Sequence, residues 1–297
     1  MKNGQRSRLN ALPAGLLPVG RKKIMPMAEK QKLIPARVVP LAPYLGGKFR
    51  LSKRIINKIE QIQHKIYAEP FVGMGGIFLR RTQIPKAEAI NDINGELVNL
   101  YRIVQKHPEE LCRSIEFRLA ARQEFERLRK IPPETLTDIE RAARSLYLQS
   151  VAFGGKVSGQ AFGVSIDRPA RFNFVKMQER IRAVAERLAC VTIERMDFEK
   201  FITRYDTKDT LFYLDPPYWG NETDYGKDIF CRADFERLKN VLTDIKGRFI
   251  LSLNDTPQVR ELFKDFTIEQ ADVTYSINKT NCCQRTELII ANKKKRR

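Results

Sequence analysis

Histidine is almost missing from this chain: His64 and His107 are the only two, and neither has a second metal-ligand candidate nearby. No metal is therefore expected in the chemistry, because the commonest imidazole ligand never falls in a cluster. The five cysteines, Cys112, Cys190, Cys231, Cys282 and Cys283, form neither a regular disulfide framework nor a zinc spacing. An odd, scattered set of this kind predicts a reducing, cytoplasmic location. Long hydrophobic runs are lacking too. The stretch Ala11 to Val19 is short, is interrupted by Pro13 and Pro18, and runs into Arg21-Lys22-Lys23. It reads as part of a disordered basic arm over residues 1–37, and no membrane partner is expected.

Acids are the scarcer charge, 35 against 54 Lys and Arg, for a net charge of +19. Much of that excess is terminal: residues 1–38 carry +8 and the basic tail 293–297 carries +5, which leaves +6 for the body. Such ends suit phosphate binding without sequence reading, although a solubilising tail has the same composition. At 297 residues and 42% hydrophobic content, the chain suits one α/β domain with an insertion, or two domains.

The most informative stretch is Leu211-Phe212-Tyr213-Leu214-Asp215-Pro216-Pro217-Tyr218. Its apolar run is too short for a helix and predicts a buried strand broken at its carboxyl end by proline. Chemistry in open α/β sheets sits at that end. Neither proline has an N–H to donate and both have fixed φ, so the turn is stiff and offers carbonyl acceptors. Asp215 adds a carboxylate and Tyr218 a flat π face. Acceptors beside a stacking surface suit a planar ring bearing an amino group, as when a flipped nucleobase is held. A plain strand and Pro-Pro turn has the same local sequence.

Upstream, Pro43-Tyr44-Leu45-Gly46-Gly47-Lys48 precedes a helical pattern with Ile55, Ile56, Ile59 and Ile62 on one face. Its glycines permit close backbone approach, and Lys48 can reach an anionic group. A short strand then leads through Glu69-Pro70-Phe71 into Gly73-Met74-Gly75-Gly76. This loop lacks the third glycine of the dinucleotide fingerprint at the right offset, which disfavours a pyrophosphate-binding dehydrogenase. A second strand, Ala87 to Asn91, ends at Asp92, placed either to bind ribose hydroxyls or to cap the next helix. Asp197-Phe198 follows another strand, from Val191, and Asp197 is equally able to cap a helix. After Tyr218 the pattern predicts a polar loop from Trp219 to Phe230, a helix over Phe235 to Ile245 and a strand over Phe249 to Leu253. A turn follows at Asn254 to Pro257, and a last strand, Thr286 to Ala291, pairs with Phe266 to Val273.

Residues 109 to about 187 interrupt the alternation of strands and helices. They are helical in pattern to Gln149, broken at Pro132-Pro133, and then rich in Gly, Ser and Arg from Phe153 to Lys176. An inserted helical unit carrying an exposed loop or hairpin is expected, and a loop of this length without structure of its own is functional or disordered.

The motifs, in this order, resemble the Dam-like DNA adenine-specific (amino-group) methyltransferases, which depend on S-adenosylmethionine. The resemblance runs from about Val38 to Asn292. It rests on Tyr44-x-Gly-Gly-Lys48, where family members often carry tryptophan in place of Tyr44, on Glu69-Pro70-Phe71-x-Gly73-x-Gly75, on Asn91-Asp92, on Asp197-Phe198 and on Asp215-Pro216-Pro217-Tyr218. It implies an α/β, Rossmann-like methyltransferase with a mixed seven-stranded sheet and an inserted small helical recognition domain. The catalytic domain would occupy 38–108 and 188–292, and the insert 109–187. S-adenosylmethionine would contact Tyr44, Lys48, Glu69, Phe71, Gly73, Gly75, Asp92, Asp197, Phe198 and Asp215. Asp215, Pro216, Pro217 and Tyr218 would be catalytic. The partner implied is double-stranded DNA, bound by a monomeric, bacterial or phage-encoded cytoplasmic enzyme. Lys156 would contact phosphate and Arg168 and Arg171 would read bases, since arginine can grip both major-groove acceptors of guanine. The loop does not align with the family's G-A-T-C-reading residues, so G-A-T-C is one candidate target.

The reaction implied is methyl transfer to the exocyclic nitrogen of adenine. That lone pair is delocalised into the ring, and Asp215 with the Pro216 carbonyl would accept its two hydrogens and favour a pyramidal nucleophile. Tyr218 would stack on the flipped ring. An RNA adenine methyltransferase, a cytosine amino-methyltransferase and an inactive DNA-binding protein share parts of this pattern.

Overall fold

A seven-stranded sheet in the order β3-β2-β1-β4-β5-β7-β6 forms the frame. Its strands are β1 (Ile66–Glu69), β2 (Ala87–Asn91), β3 (Val191–Glu194), β4 (Thr210–Leu214), β5 (Arg248–Asn254), β6 (Thr267–Asn278) and β7 (Asn281–Ala291). The computed structural model describes residues 38–164, 167, 169–226, 229–278 and 281–293. The arm 1–37, Arg168 and the tail beyond Lys293 therefore lie outside the described residues.

The first five strands run parallel, and β7 enters antiparallel between β5 and β6. Both central strands, β1 and β4, are almost wholly buried, as parallel strands covered on both faces must be. From β1 the chain winds outward to β2 and β3, and from β4 it winds the other way to β5. The crevice beyond the carboxyl ends of β1 and β4 is thus the topological switch point, where ligands of open α/β sheets bind.

Nine α-helices are described: α1 (Ser52–Glu60), α2 (Gly95–Lys106), α3 (Pro108–Ile115), α4 (Arg122–Lys130), α5 (Asp138–Val151), α6 (Phe174–Leu188), α7 (Phe198–Tyr205), α8 (Arg232–Thr243) and α9 (Pro257–Leu262). Their starts follow capping chemistry. Asn94, Asn173, Asp197 and Thr256 accept backbone N–H groups, and Thr137 with Glu140 closes a capping box. Helices α3, α5 and α6 pack around α2 and α4 packs on α5, and Phe125, Leu146, Tyr147 and Ile181 from this group share a core with Tyr67, Ile90 and Tyr213 of the sheet. The opposite face is covered by Phe201, Phe235, Leu238 and Phe263.

One ionic cluster is buried between the sheet and α6. Glu88 of β2 accepts from Arg81 (2.8 Å) and from Arg187 of α6 (2.6 Å). Each guanidinium also covers an aromatic ring, Arg81 on Tyr67 and Arg187 on Phe78. Removing one partner of such a set leaves an uncompensated charge, at about 3–5 kcal/mol.

Candidate active site

Strand β4 delivers Asp215 one residue beyond its end, and β5, its neighbour, delivers Ser252 level with it because Leu214 pairs with Leu251. The Ser252 hydroxyl donates to Asp215 Oδ1 (3.2 Å) and lies 3.0 Å from the Tyr213 hydroxyl. Lys48 Nζ stands 2.5 Å from Asp215 Oδ1, donates to the Gly46 carbonyl (3.1 Å) and sits 4.5 Å from the centre of the Tyr218 ring. The lysine side chain is 2% exposed and the aspartate 20%, so the carboxylate is the member of the pair a ligand can reach. Burial pushes the Asp215 carboxyl up, opposed by the Lys48 ammonium and the Ser252 hydroxyl. Two residues further along β5, Asn254 clamps the loop after the prolines: it accepts from Trp219 N (2.9 Å) and donates to Trp219 O (3.0 Å).

A cleft of about 440 Å³ opens beside Asp215 at the switch point. Glu69, Asp92, Asp197 and Asp215 contribute to its wall, with Phe71, Phe198 and Phe230 on one side. Those three rings form a triangle with centroid separations of 5.5, 6.0 and 6.0 Å. Glu69, at the end of β1, accepts from the Tyr67 hydroxyl (2.8 Å), and burial pushes its carboxyl up to about 8. Asp92, just past β2, accepts from Gly73 N and Asn94 N, both at 2.9 Å, and burial pushes it up to about 6. The cap of α2 is Asn94, so Asp92 instead ties the glycine loop to the second strand. Asp197 caps α7 through Glu199 N, pairs with Arg237 at 3.0 Å and lines the cleft.

Two glycines hold the loop in shape. Gly73 has φ +50, and a Cβ there would lie 2.8 Å from Tyr44 Cε1. Gly75 has φ +72, and a Cβ would strike Leu79 and the Tyr101 hydroxyl. Gly75 lies outside the cleft lining, where Gly73, Met74 and Gly76 stand, so its part is to permit the turn. Pro217, Tyr44 and Lys48 line the cleft, whereas Pro216 and Tyr218 lie outside that lining.

The Phe153–Lys176 region begins as a tight antiparallel turn. Phe153 N donates to Ala161 O and Gly163 N to Val151 O, around a bridge between Ala152 and Phe162. Lys156 is exposed on it. Arg171 spends Nη1 on the Ala152 carbonyl (3.0 Å), bracing the turn while remaining exposed. Sequence reasoning missed Ser252, Asn254 and Tyr225, whose hydroxyl donates to the Leu45 carbonyl (3.0 Å). The available signal was position: Ser252 and Asn254 end a strand that neighbours β4. Among the described residues no group of three His, Cys, Asp or Glu could hold a metal, and no helix is long and apolar enough to cross a membrane.

Acids at the carboxyl ends of β1, β2 and β4 are gathered on one cleft of a doubly wound, Rossmann-like sheet with an antiparallel β7. Residues 44–277 match the model of the D12 class N6 adenine-specific DNA methyltransferases, and the chain belongs to that family. It is 31% identical over 290 residues to the Type II methyltransferase M1.LlaDCHI of Lactococcus lactis subsp. cremoris, covering 90% of this chain and 99% of the relative. It is 28% identical to a DNA adenine methylase of Haemophilus influenzae, covering 84% and 92%. It is also 24% identical to the Type II methyltransferase M.CviBI of Paramecium bursaria Chlorella virus NC1A, covering 80% and 90%. The chain is thus an enzyme that methylates the N6 nitrogen of adenine in DNA.

Proposed function

We propose that the methyl donor is S-adenosylmethionine, held in the cleft beside Asp215, and that the target adenine is flipped out of the duplex against Asp215 and Tyr218. The observation that carries this reading is the position of Asp215, which lines the cleft and also stands at the proline turn. The donor set suits the molecule: the carboxyl groups of the buried Glu69 and the half-buried Asp92 match amino and ribose groups, and the Phe71, Phe198 and Phe230 triangle matches a flat purine. When bound, S-adenosylmethionine supplies a methyl group already activated by a positive sulfonium.

The chain's own work concerns the nucleophile. Lys48 opposes the upward push of burial on the Asp215 carboxyl, and Ser252 fixes one of its oxygens. Asp215 and the Pro216 carbonyl then accept the two amino hydrogens of adenine, localise the nitrogen lone pair and aim it at the cleft. Tyr218 supplies the stacking face that replaces a neighbouring base. The Phe153–Lys176 loop provides sequence choice, with Arg168 and Arg171 as base readers and Lys156 as a phosphate contact, and the basic ends add sequence-independent affinity.

Expression in a methylation-free host, followed by sequencing that detects modified bases, tests the reading. N6-methyladenine at one short sequence is expected with the intact chain and none with Asp215→Ala. Methylation undiminished in Asp215→Ala overturns the assignment of the site.

A further inference from the structure

Six consecutive residues, Pro43 to Lys48, touch three parts of the molecule. At one end, Nε2 of Gln149 donates both to the Pro43 carbonyl and to the Gly155 carbonyl, each at 2.8 Å. The Leu45 N–H donates to the same Gly155 oxygen (2.9 Å). In the middle, Tyr44 presses on Gly73 of the glycine loop. At the far end Lys48 holds Asp215.

Gly155 belongs to the turn that opens the Phe153–Lys176 loop. It has φ +67, and a Cβ there would lie 3.0 Å from Pro43 C and from Tyr44 N, so backbone rests on backbone with no room for a side chain. Gln149 is buried at the end of α5, and its amide is oriented by Gln160, whose Nε2 donates to Gln149 Oε1 (3.0 Å) and to the Lys156 carbonyl (2.9 Å). A shift of the turn therefore has little slack to absorb it before it reaches Tyr44 and Lys48.

We propose that Gln149 is a positioning residue that couples occupation of the DNA loop to the placement of Tyr44 and Lys48, so that target DNA and cofactor strengthen each other's binding through the Pro43–Lys48 strap. This rests on the reading of the Phe153–Lys176 loop as a DNA contact. Gln149 lies outside the lining of the cleft, so its substitution removes no group that faces the cleft. Coupling between two ligands is reciprocal and is measured as a ratio of dissociation constants.

The test is calorimetry of S-adenosylhomocysteine binding, with and without a saturating duplex carrying the sequence found methylated in the host. In the wild type, DNA is expected to tighten binding at least about fivefold. Gln149→Met keeps the side-chain length but removes both donors. Its DNA-free affinity should stay within about twofold of wild type while the DNA-dependent ratio falls below about two. Gln160→Ala, at a less buried position, should lower the ratio to an intermediate value, and it decides the matter should Gln149→Met fail to fold. A wild-type ratio near one overturns the proposal, as does a ratio unchanged in Gln149→Met or, where that variant does not fold, in Gln160→Ala. Lys156→Ala separates the underlying reading: duplex affinity unchanged in that variant counts against the loop as a DNA contact, whatever the Gln149 result.

Discussion

The Asp215 carboxylate and the Ser252 hydroxyl lie level on adjacent strands, 3.2 Å apart, with Tyr213 behind the serine. Ser252 thereby fixes the oxygen that Lys48 also holds, and leaves the carboxylate few orientations. Ser252→Ala is expected to lower the single-turnover methylation rate about tenfold and stability by about 1 kcal/mol, through the loss of one buried hydrogen bond. Cofactor affinity by calorimetry should not move. A rate equal to wild type would show that Asp215 is held well enough by Lys48 alone.

Asp215 itself separates chemistry from folding when two substitutions are compared. Asp215→Asn keeps an acceptor beside Lys48 and Ser252, and should fold normally with a rate about 10²–10³ lower, the scale for losing one preorganised polar group. Asp215→Ala should be inactive and also about 1.5–3 kcal/mol less stable than Asp215→Asn, because it leaves the buried Lys48 ammonium with no side-chain acceptor at that position. Thermal unfolding and methylation assays on the pair check this. Equal stability of the two variants would mean that Lys48 finds another partner.

Burial holds Glu69 up to about 8 and Asp92 up to about 6, so in the ligand-free protein Glu69 keeps its proton at neutral pH. A cationic ligand with hydroxyl donors favours the ionised forms, so binding releases protons and tightens as pH rises through this window. The folded state binds these protons more tightly than the unfolded chain, so the same two groups make ligand-free stability fall as pH rises from the ordinary carboxylate range toward about 8. Calorimetry at pH 7 in buffers of different ionisation enthalpy should show proton release on cofactor binding. An affinity independent of pH between about 6 and 8 would remove both carboxylates from the binding reaction.

Lys156 and Arg171 should separate affinity from discrimination. Lys156→Ala is expected to weaken binding to all duplexes alike and to reduce the salt slope by about one. Arg171→Ala should relax one base position by about 1–3 kcal/mol, and Arg171→Lys should not restore it, because the single ammonium nitrogen of lysine cannot brace Ala152 from one arm of a planar fork while another arm reads a base. Competition binding against single-position duplex variants measures both. Discrimination intact at every position in Arg171→Ala would move the base readers elsewhere.

Local chemistry made much of the molecule legible in its sequence. The buried run before Asp215, the glycine turn after Phe71 and the acid after Asn91 each announce a strand end, because their residue types admit few alternatives. What stayed hidden depends on register and distance. Asn94 wins the cap of α2 from Asp92 only because the chain enters the helix two residues later. Ser252 and Asn254 matter through the pairing of β5 with β4, which their own neighbours do not encode. Gln149 meets Pro43 across 106 residues of chain. The terminal strands extend to Asn278 and from Asn281, well past the apolar ends expected at Val273 and Thr286, because pairing sustains polar stretches that propensity alone does not mark.

The buried Arg81–Glu88–Arg187 cluster bears on how such enzymes can be recombined. Arg187 closes α6, the last helix before the chain returns to the sheet, and its partner Glu88 belongs to β2. A cassette spanning residues 109–187, transplanted to change the sequence that is methylated, therefore carries one leg of an electrostatic tripod whose foot stays in the recipient. Chimeras whose incoming helix ends without an arginine at that point would leave Glu88 with Arg81 alone, and would aggregate or fail to accumulate before any change of target could be seen. The workable seam lies inside the loop between Phe153 and Asn173, upstream of the helix that carries that arginine.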